Sequence, residues 1–486
     1  MISIKAKKHD NFSVEFKFGF DCTLDGRQED FAVNAWMFVP NSLDINPELY
    51  GKKQFYRDIK SNIRLITPSF LLRDIVDDSS LPLTFLRNSM QKYVSCPDDA
   101  AFASYEYHLK MFAAIVKSTL RDQAAHLRKA RSLGDSKYLV DEYITCAETV
   151  QKKFRDLYAI IDAPTIPEKA RNYFRLCDEF IAHTVEVQTI RIVRKMDASA
   201  GTAQEKAVRD RFAQLVMNQR AYKVQRGYGI LNNEVNHDRR LVHHRGMLKK
   251  FIESDLYINL NKKKDGVAVE QLLYSIAAGV AMIFATGVAW FTQVKYGNIT
   301  WPLFVVLVVS YMLKDRIKEL MRYYFAHKLG NKYFDKKADI SVGDRKVGVL
   351  KEGFDFIPSS HVPPQVMKCR DRSSSIDDET RIFEEKILLY RKHLTINDAD
   401  LNKTADYPLR GINEIMRLHL TRFTQKMDNP TVPIDTFDAE GNVITVSVQK
   451  SYYINIVFQL QHADQVEYHH FRITMTRDGV LHIVEI

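Results

Sequence analysis

Between Gln271 and Leu313 the chain reads QLLYSIAAGVAMIFATGVAWFTQVKYGNITWPLFVVLVVSYML, with Lys295 as its one charge, in a protein of which 27% of residues are charged. Gln271–Val294 supplies 24 uncharged residues, about 36 Å as a helix against a hydrocarbon core of about 30 Å. Tyr296–Leu313 supplies 18 more, about 27 Å, and Pro302 falls in a first turn, where a missing N–H costs little. The pattern predicts an integral membrane protein with a central two-helix transmembrane hairpin. The competing reading, a helical hairpin buried in a soluble core, needs two adjacent segments of this length that both lack charge.

The flanks support the membrane reading. From Arg220 to Asp265 there are eleven Lys/Arg against five Asp/Glu, a balance of +6, and from Lys314 to Lys337 eight against three, a balance of +5. The whole chain carries +10, so the remainder sums to −1 and the basicity is juxtamembrane. Arg245, Lys249, Lys250, Lys262, Lys263, Lys264, Lys314, Arg316, Lys318 and Arg322 are the expected contacts to anionic headgroups. Positive charge on both outer flanks predicts two cytoplasmic termini in a membrane of the bacterial inner type. Trp290, Tyr296 and Trp301 gather at the distal turn, where an interfacial aromatic belt is expected. On the first helix Ala277, Ala281, Ala285 and Ala289 recur every four residues, a spacing that lets backbones approach closely, either onto the second helix or between chains.

Five scattered cysteines without a CxxC pair suit a reducing compartment. The N-terminus has no apolar run of secretory type, so it is expected to open a cytoplasmic domain. The expected division is an α+β module over 1–97, a helical bundle with a basic juxtamembrane helix over 98–266, the hairpin over 267–313, and a juxtamembrane helix with an α+β domain ending in an antiparallel sheet over 314–486. Val14, Phe16, Phe18 and Phe20 alternate on one strand, with Phe31–Pro40 as its expected partner. Helices are expected from Ser375, with Asp378 completing a capping box, through His393, and over Leu409–Lys426. A hairpin is expected around Gly343 and Asp344, and Asp478-Gly479 signals a tight turn.

No phosphate-cradling glycine loop, HExxH, GxSxG or cysteine quartet is present. Glu15-Phe16-Lys17 matches half of a metal-dependent nuclease pattern, and it is also what the polar face of an alternating strand looks like. HKLGNKYFD, around Leu329, puts its lysine out of register for a phosphodiesterase motif. His237, His243 and His244, and His462, His469 and His470, lack a carboxylate or thiol at ligand spacing, so no metal, catalytic residue or cofactor is assigned. Nucleic acid is a weaker partner for the basic segments than the bilayer. The sequence therefore points to a membrane-anchored binding, scaffold or sensor protein acting with a protein partner or as a homo-oligomer. The alternatives are a membrane-damaging effector of stress or phage defence, assembled through its hairpin, and an enzyme of unfamiliar type.

Overall fold

The structure is a computed structural model that describes the chain except residues 24–25, 130–136, 198–202, 233, 259, 298–300, 331–333, 343–344, 371–384 and 405. It divides into two compact units, one of Met1–Ile63, Ile258–Thr404 and Gly411–Ile486, the other of Arg64–Tyr257 and Ala405–Arg410. The hairpin expected around Gly343 and Asp344 and the capping pair Ser375 and Asp378 lie outside the described residues.

The first unit is mainly β. Its strands are β1 (Ile2–Asp10), β2 (Ser13–Asp21), β3 (Gln28–Pro40), β4 (Ile59–Leu65), β5 (Tyr257–Ile258), β6 (Asn261–Lys264), β7 (Lys336–Val342), β8 (Arg345–Ile357), β9 (Glu385–Asn397), β10 (Gly411–His419), β11 (Thr431–Phe437), β12 (Val443–Gln449), β13 (Tyr452–His462), β14 (Gln465–Thr476) and β15 (Gly479–Glu485). They form a five-stranded sheet, β1-β2-β10-β4-β5, an eight-stranded sheet, β15-β14-β13-β3-β9-β8-β7-β6, and the separate pair β11-β12. The apolar face of β2 does pack inward, but β3 is not its hydrogen-bonded neighbour. β2 pairs with β1 and β10, while β3 pairs with β13 and β9 in the other sheet. The two sheets meet face to face instead: Phe16 and Phe18 of β2 lie 4.9 and 5.6 Å from Phe458 of β13, and Phe20 lies 5.6 Å from Phe31 of β3, ring centre to ring centre. Alternation shows that a strand has a buried face and is silent on which strand lies beside it.

Where they are described, the two helices expected in the C-terminal part are mainly strand, with a single helical turn at Thr421–Thr424. β9 occupies Glu385–Asn397 and β10 occupies Gly411–His419. Their inward positions alternate as Leu388, Tyr390, Lys392, Leu394, Ile396 and Ile412, Glu414, Met416, Leu418. Lys392 and Glu414 are polar residues on the buried face, and they break the period of two in the sequence. In the fold they satisfy each other. Lys392 Nζ donates to Glu414 Oε1 across the two sheets and lies 3.9 Å from Glu352 of β8, its register partner. Glu352 also accepts from Tyr390 at 2.7 Å and Lys262 at 2.6 Å, and Glu414 accepts from Ser61.

The second unit is helical: α2 (Leu72–Val76), α3 (Leu81–Ser95), α4 (Asp99–Lys129), α5 (Lys137–Asp156), α6 (Tyr158–Ile161), α7 (Glu168–Asp197), α8 (Ala203–Arg226) and α9 (Val235–Ile252), following α1 (Lys52–Asp58) of the first unit. Leu109, Phe112, Val116 and Leu120 of α4 give the buried stripe of an amphipathic helix. Phe112, Phe154 and Phe174 stack in series, 5.4 and 4.3 Å between centres, and join α4, α5 and α7.

The two-helix transmembrane hairpin is corrected by the structure, which is a mixed α/β protein with large antiparallel sheets and, among the described residues, one helix long and apolar enough to cross a membrane. That helix lies in α10 (Val267–Tyr296), and the second, α11, begins at Trp301 and runs to Gly330. Tyr296 belongs to the first helix, so the apolar part of α11 is the 13 residues Trp301–Leu313, about 20 Å of helix, before Lys314, Asp315 and Arg316 follow. Counting uncharged residues without knowing where the turn falls made the second segment look long enough.

Removing the charge of Lys392 leaves Glu414 buried without a cation, while Glu352 keeps Lys262, and breaking a buried pair costs about 3–5 kcal/mol. Lys392→Met should lose about that much in denaturant unfolding, and adding Glu414→Gln should recover part of it. Burial pushes the Glu352 carboxyl up, but Lys392, Lys262 and the Tyr390 hydroxyl together hold it below its usual value of 4.5. Its contribution is thus present above that value and lost as pH falls through the depressed one, so acid unfolding of wild type should lose a component that Glu352→Gln lacks.

Candidate functional site

One cavity with polar walls lies in the helical unit. Its volume is about 320 Å³, and it is lined by Arg155, Tyr158, Phe174, Arg175, Asp178, Tyr222, Gln225, Arg226 and Tyr228, at the small end of the range for small-molecule sites. Asp178, on the inward face of α7, is buried and organises the wall. It accepts from Arg155 Nε at 3.0 Å, Tyr222 OH at 2.6 Å and Tyr228 OH at 2.9 Å. The Arg155 guanidinium lies 3.5 Å over the Tyr222 ring and also donates to Gln151 at 2.9 Å. Burial, and then the hydrogen bond to Asp178, push the Tyr222 hydroxyl up. Burial, and then the Asp178 charge, do the same to Tyr228. Both phenols therefore stay protonated donors.

Tyr228 reaches Asp178 because α8 stops where it does. Gly227, at φ +69°, takes the left-handed conformation. Its N–H donates to Val224 O at 3.1 Å and that of Tyr228 to Lys223 O at 2.8 Å, the paired bonds of a Schellman stop. One turn earlier, the buried Lys223 donates to Glu186 and holds α8 on α7. Burial raises the Glu186 carboxyl, but His183 and Lys223 outweigh it and bring the value down to about 2.

Three guanidiniums against one carboxylate leave the cavity with two positive charges. Arg155 is engaged by Asp178. Arg226 donates to the Tyr222 hydroxyl at 3.2 Å, and Arg175, exposed at the rim, has no hydrogen bond or ion pair among the described residues. The chemistry on offer is recognition of a small anion by Arg175 and Arg226, backed by phenol donors. Among the described residues no nucleophile–base pair lines the cavity. None of these residues stood out in the sequence; the one local signal was the helix stop QRGY, which says that the chain turns back but not onto what.

The residues expected at the membrane divide between two situations. Ala277 and Ala281 are buried and Ala285 and Ala289 partly so, on the side of α10 that meets α11, where Ser310 Oγ donates to Ala285 O at 3.4 Å. Trp290 and Trp301 are exposed; the side chain of Tyr296 lies outside the described set. Lys262 reaches inward to Glu352, and Lys264 pairs with Glu270 at 2.5 Å. Lys314 lies 4.0 Å over the Tyr311 ring, and Arg322 4.7 Å over Tyr274 while pairing with Glu319 at 3.2 Å. Lys249, Lys250, Lys263 and Arg316 are exposed, and Arg245 and Lys318 half-buried.

The weaker motifs resolve into structural contacts. Glu15 is buried and pairs with Arg417 at 2.8 Å and Lys7 at 3.0 Å. His244 pairs with Glu179 at 3.0 Å, His462 with Glu29 at 2.7 Å and His469 with Glu485 at 2.8 Å, while His470 bonds Asn455 at 3.0 Å. Among the described residues no group of three or more His, Cys, Asp or Glu is arranged to hold a metal ion. No family model, curated protein or solved structure matches the chain.

A methyl group at position 227 would meet nothing within 4 Å, so Gly227→Ala bears only the left-handed backbone penalty of about 1–2 kcal/mol. It should lower the unfolding midpoint of the helical unit. Tyr228→Phe, which removes one hydrogen bond to a charged group, should cost about 1.5–3 kcal/mol by the same denaturation measurement.

Proposed function

We propose that the chain is a membrane-anchored binding protein of sensor type, whose helical unit takes a small anionic ligand at the Arg175–Arg226 rim. The observation that carries the anchor is α10: the 29 residues Val267–Lys295 are long and apolar enough to cross a membrane, and only 11% of their most apolar stretch is buried. Leu272, Met282, Ile283, Phe291 and Val294 are all more than half exposed, so the helix needs an apolar environment that the protein does not supply.

The orientation is part of the same proposal. β6 precedes α10, β7 follows α11, and the two strands pair from Asn261↔Asp339 to Lys264↔Lys336. Both ends of the helix pair are thereby held side by side in one sheet. The basic flanks favour the cytoplasmic face, as in a bacterial inner membrane. The reading as a membrane-damaging effector has less support, since the alanine ladder on which it drew is turned onto α11 within the chain.

Two measurements test this. Carbonate washing should leave the full chain in the membrane pellet, and recovery in the supernatant would remove the anchor. In detergent, inorganic pyrophosphate should raise the unfolding midpoint of wild type but not of the double variant Arg175→Ala/Arg226→Ala. An equal shift in both proteins, or none in either, would end the assignment of the cavity.

A further inference from the structure

The two helices of the pair become polar at different heights. Two contacts fix their register: Ser310 Oγ donates to Ala285 O at 3.4 Å, and the Arg322 guanidinium lies 4.7 Å over the Tyr274 ring. Antiparallel helices joined at these points set Lys314 level with about Ala281, Arg316 with Gly279 and Lys318 with Ala277. The uncharged run of α10 continues from Ala281 down to Gln271, about 15 Å further. Beside that stretch α11 carries Lys314, Asp315, Arg316, Lys318, Glu319 and Arg322, a balance of +2.

These charges turn away from α10. At this level Ala277 and Ala281 are buried, and Ile317 and Met321, which share the Ser310 side of α11, are half-buried, while Asp315, Arg316 and Glu319 are exposed. The Lys314 ammonium lies 4.0 Å over the ring of Tyr311, so it reaches toward the far end of the pair rather than back toward the sheet. Tilting does not bring both helices to one interface. Axes about 8–10 Å apart, tilted by about 40°, the upper range for membrane helices, differ in height by roughly 6 Å, which leaves most of the offset in place.

We propose that the Lys314–Arg322 face of α11 is a binding site for zwitterionic phospholipid headgroups, which draw the membrane surface inward on this side of the pair to the level of Tyr311 and Lys314. The site presupposes the membrane anchor proposed above and is independent of the arginine pocket. On this side the apolar layer is the stretch Trp301–Leu313, about 20 Å against an ordinary hydrocarbon core of about 30 Å. A bilayer meets a short apolar segment by thinning around it, and the thinning brings phosphates to Lys314, Arg316 and Lys318. Asp315 and Glu319, exposed one turn apart, suit the headgroup ammonium. Tyr311, 61% exposed beside Lys314, is placed as an interfacial aromatic. Across the pair, Leu272, Ile276 and Val280 are exposed at the same height, so hydrocarbon continues there and the boundary slopes from one helix to the other. A second copy of the chain is the poorer occupant, because each copy would bring a net positive face to the contact.

The test compares Leu320→Cys with Ile276→Cys, which are level with one another on the two helices, each in the full chain in phosphatidylcholine nanodiscs. A membrane-impermeant maleimide should label Leu320→Cys about tenfold faster than Ile276→Cys, after subtraction of the unsubstituted chain, because the reacting thiolate does not form in hydrocarbon. Adding Lys314→Gln/Arg316→Gln/Lys318→Gln to Leu320→Cys should slow its labelling as the acyl chains are lengthened, and native mass spectrometry should show loss of retained phosphatidylcholine. If the triple variant does not fold, Asp315→Asn/Glu319→Gln supplies a second reading: it should retain less phosphatidylcholine relative to phosphatidylglycerol than wild type. Equal labelling at the two positions, retention of phosphatidylglycerol only, or unchanged labelling and lipid retention in the variants would overturn the site. A disulfide-linked homodimer of Leu320→Cys under mild oxidation would give the face to a second copy and overturn it as well. Loss of the unsubstituted chain from the carbonate pellet would count against the anchor, whereas a pelleted chain with equal labelling would count against the headgroup site alone.

Discussion

Lys392 is the constraint around which the β unit is arranged. It lies on the inner face of β9, bonded across the sandwich to Glu414 of β10 and close to Glu352 of the adjacent β8. Glu414 Oε2 is buried without a hydrogen-bond partner among the described residues, so Lys392 is what compensates that carboxylate. A buried cation with such specific partners fixes register: a slip of β9 by one residue would turn Lys392 out of the core and leave the buried Glu414 without its cation. The phenylalanines supply the bulk of the apolar burial around it, but their contacts are less particular about alignment. The ionic cluster thus makes one alignment of the two sheets preferable to its neighbours.

The same device is used in the helical unit with a different outcome. Asp178 gathers one guanidinium and two phenols, as Glu352 and Glu414 gather lysine, tyrosine and serine. The β cluster is enclosed, whereas Asp178 lies at the wall of an open cavity whose rim has further guanidiniums. Organised polar residues beside space are the arrangement that recognition requires; organised polar residues without space serve the fold.

Residue patterning marked individual helices such as α4 and α7 and strands such as β2 and β3, but not the mixed α/β architecture, and it read as two spans an apolar block in which one helix is long enough. β9 and β10 were not legible, because Lys392 and Glu414 occupy inward positions that a period-two pattern expects to be apolar. The pocket was not legible either: Arg155, Asp178, Tyr222 and Tyr228 are ordinary polar residues on separate helices and a turn until α5, α7 and α8 are assembled.

By itself, the sequence determined that the segment near Gln271–Val294 is long and apolar enough, as a helix, to cross a membrane, since length and composition do not depend on its neighbours. It determined the basic flanks for the same reason: charge is additive along a chain. Only the tertiary structure decided that the second apolar segment begins at Trp301 and is too short on its own to span, that β6 and β7 close the ends of the helix pair together, and that the charges of α11 begin partway along the apolar run of α10. These depend on which segments pair across long separations in the chain, and pairing is chosen by the mutual fit of buried faces, which no segment carries alone.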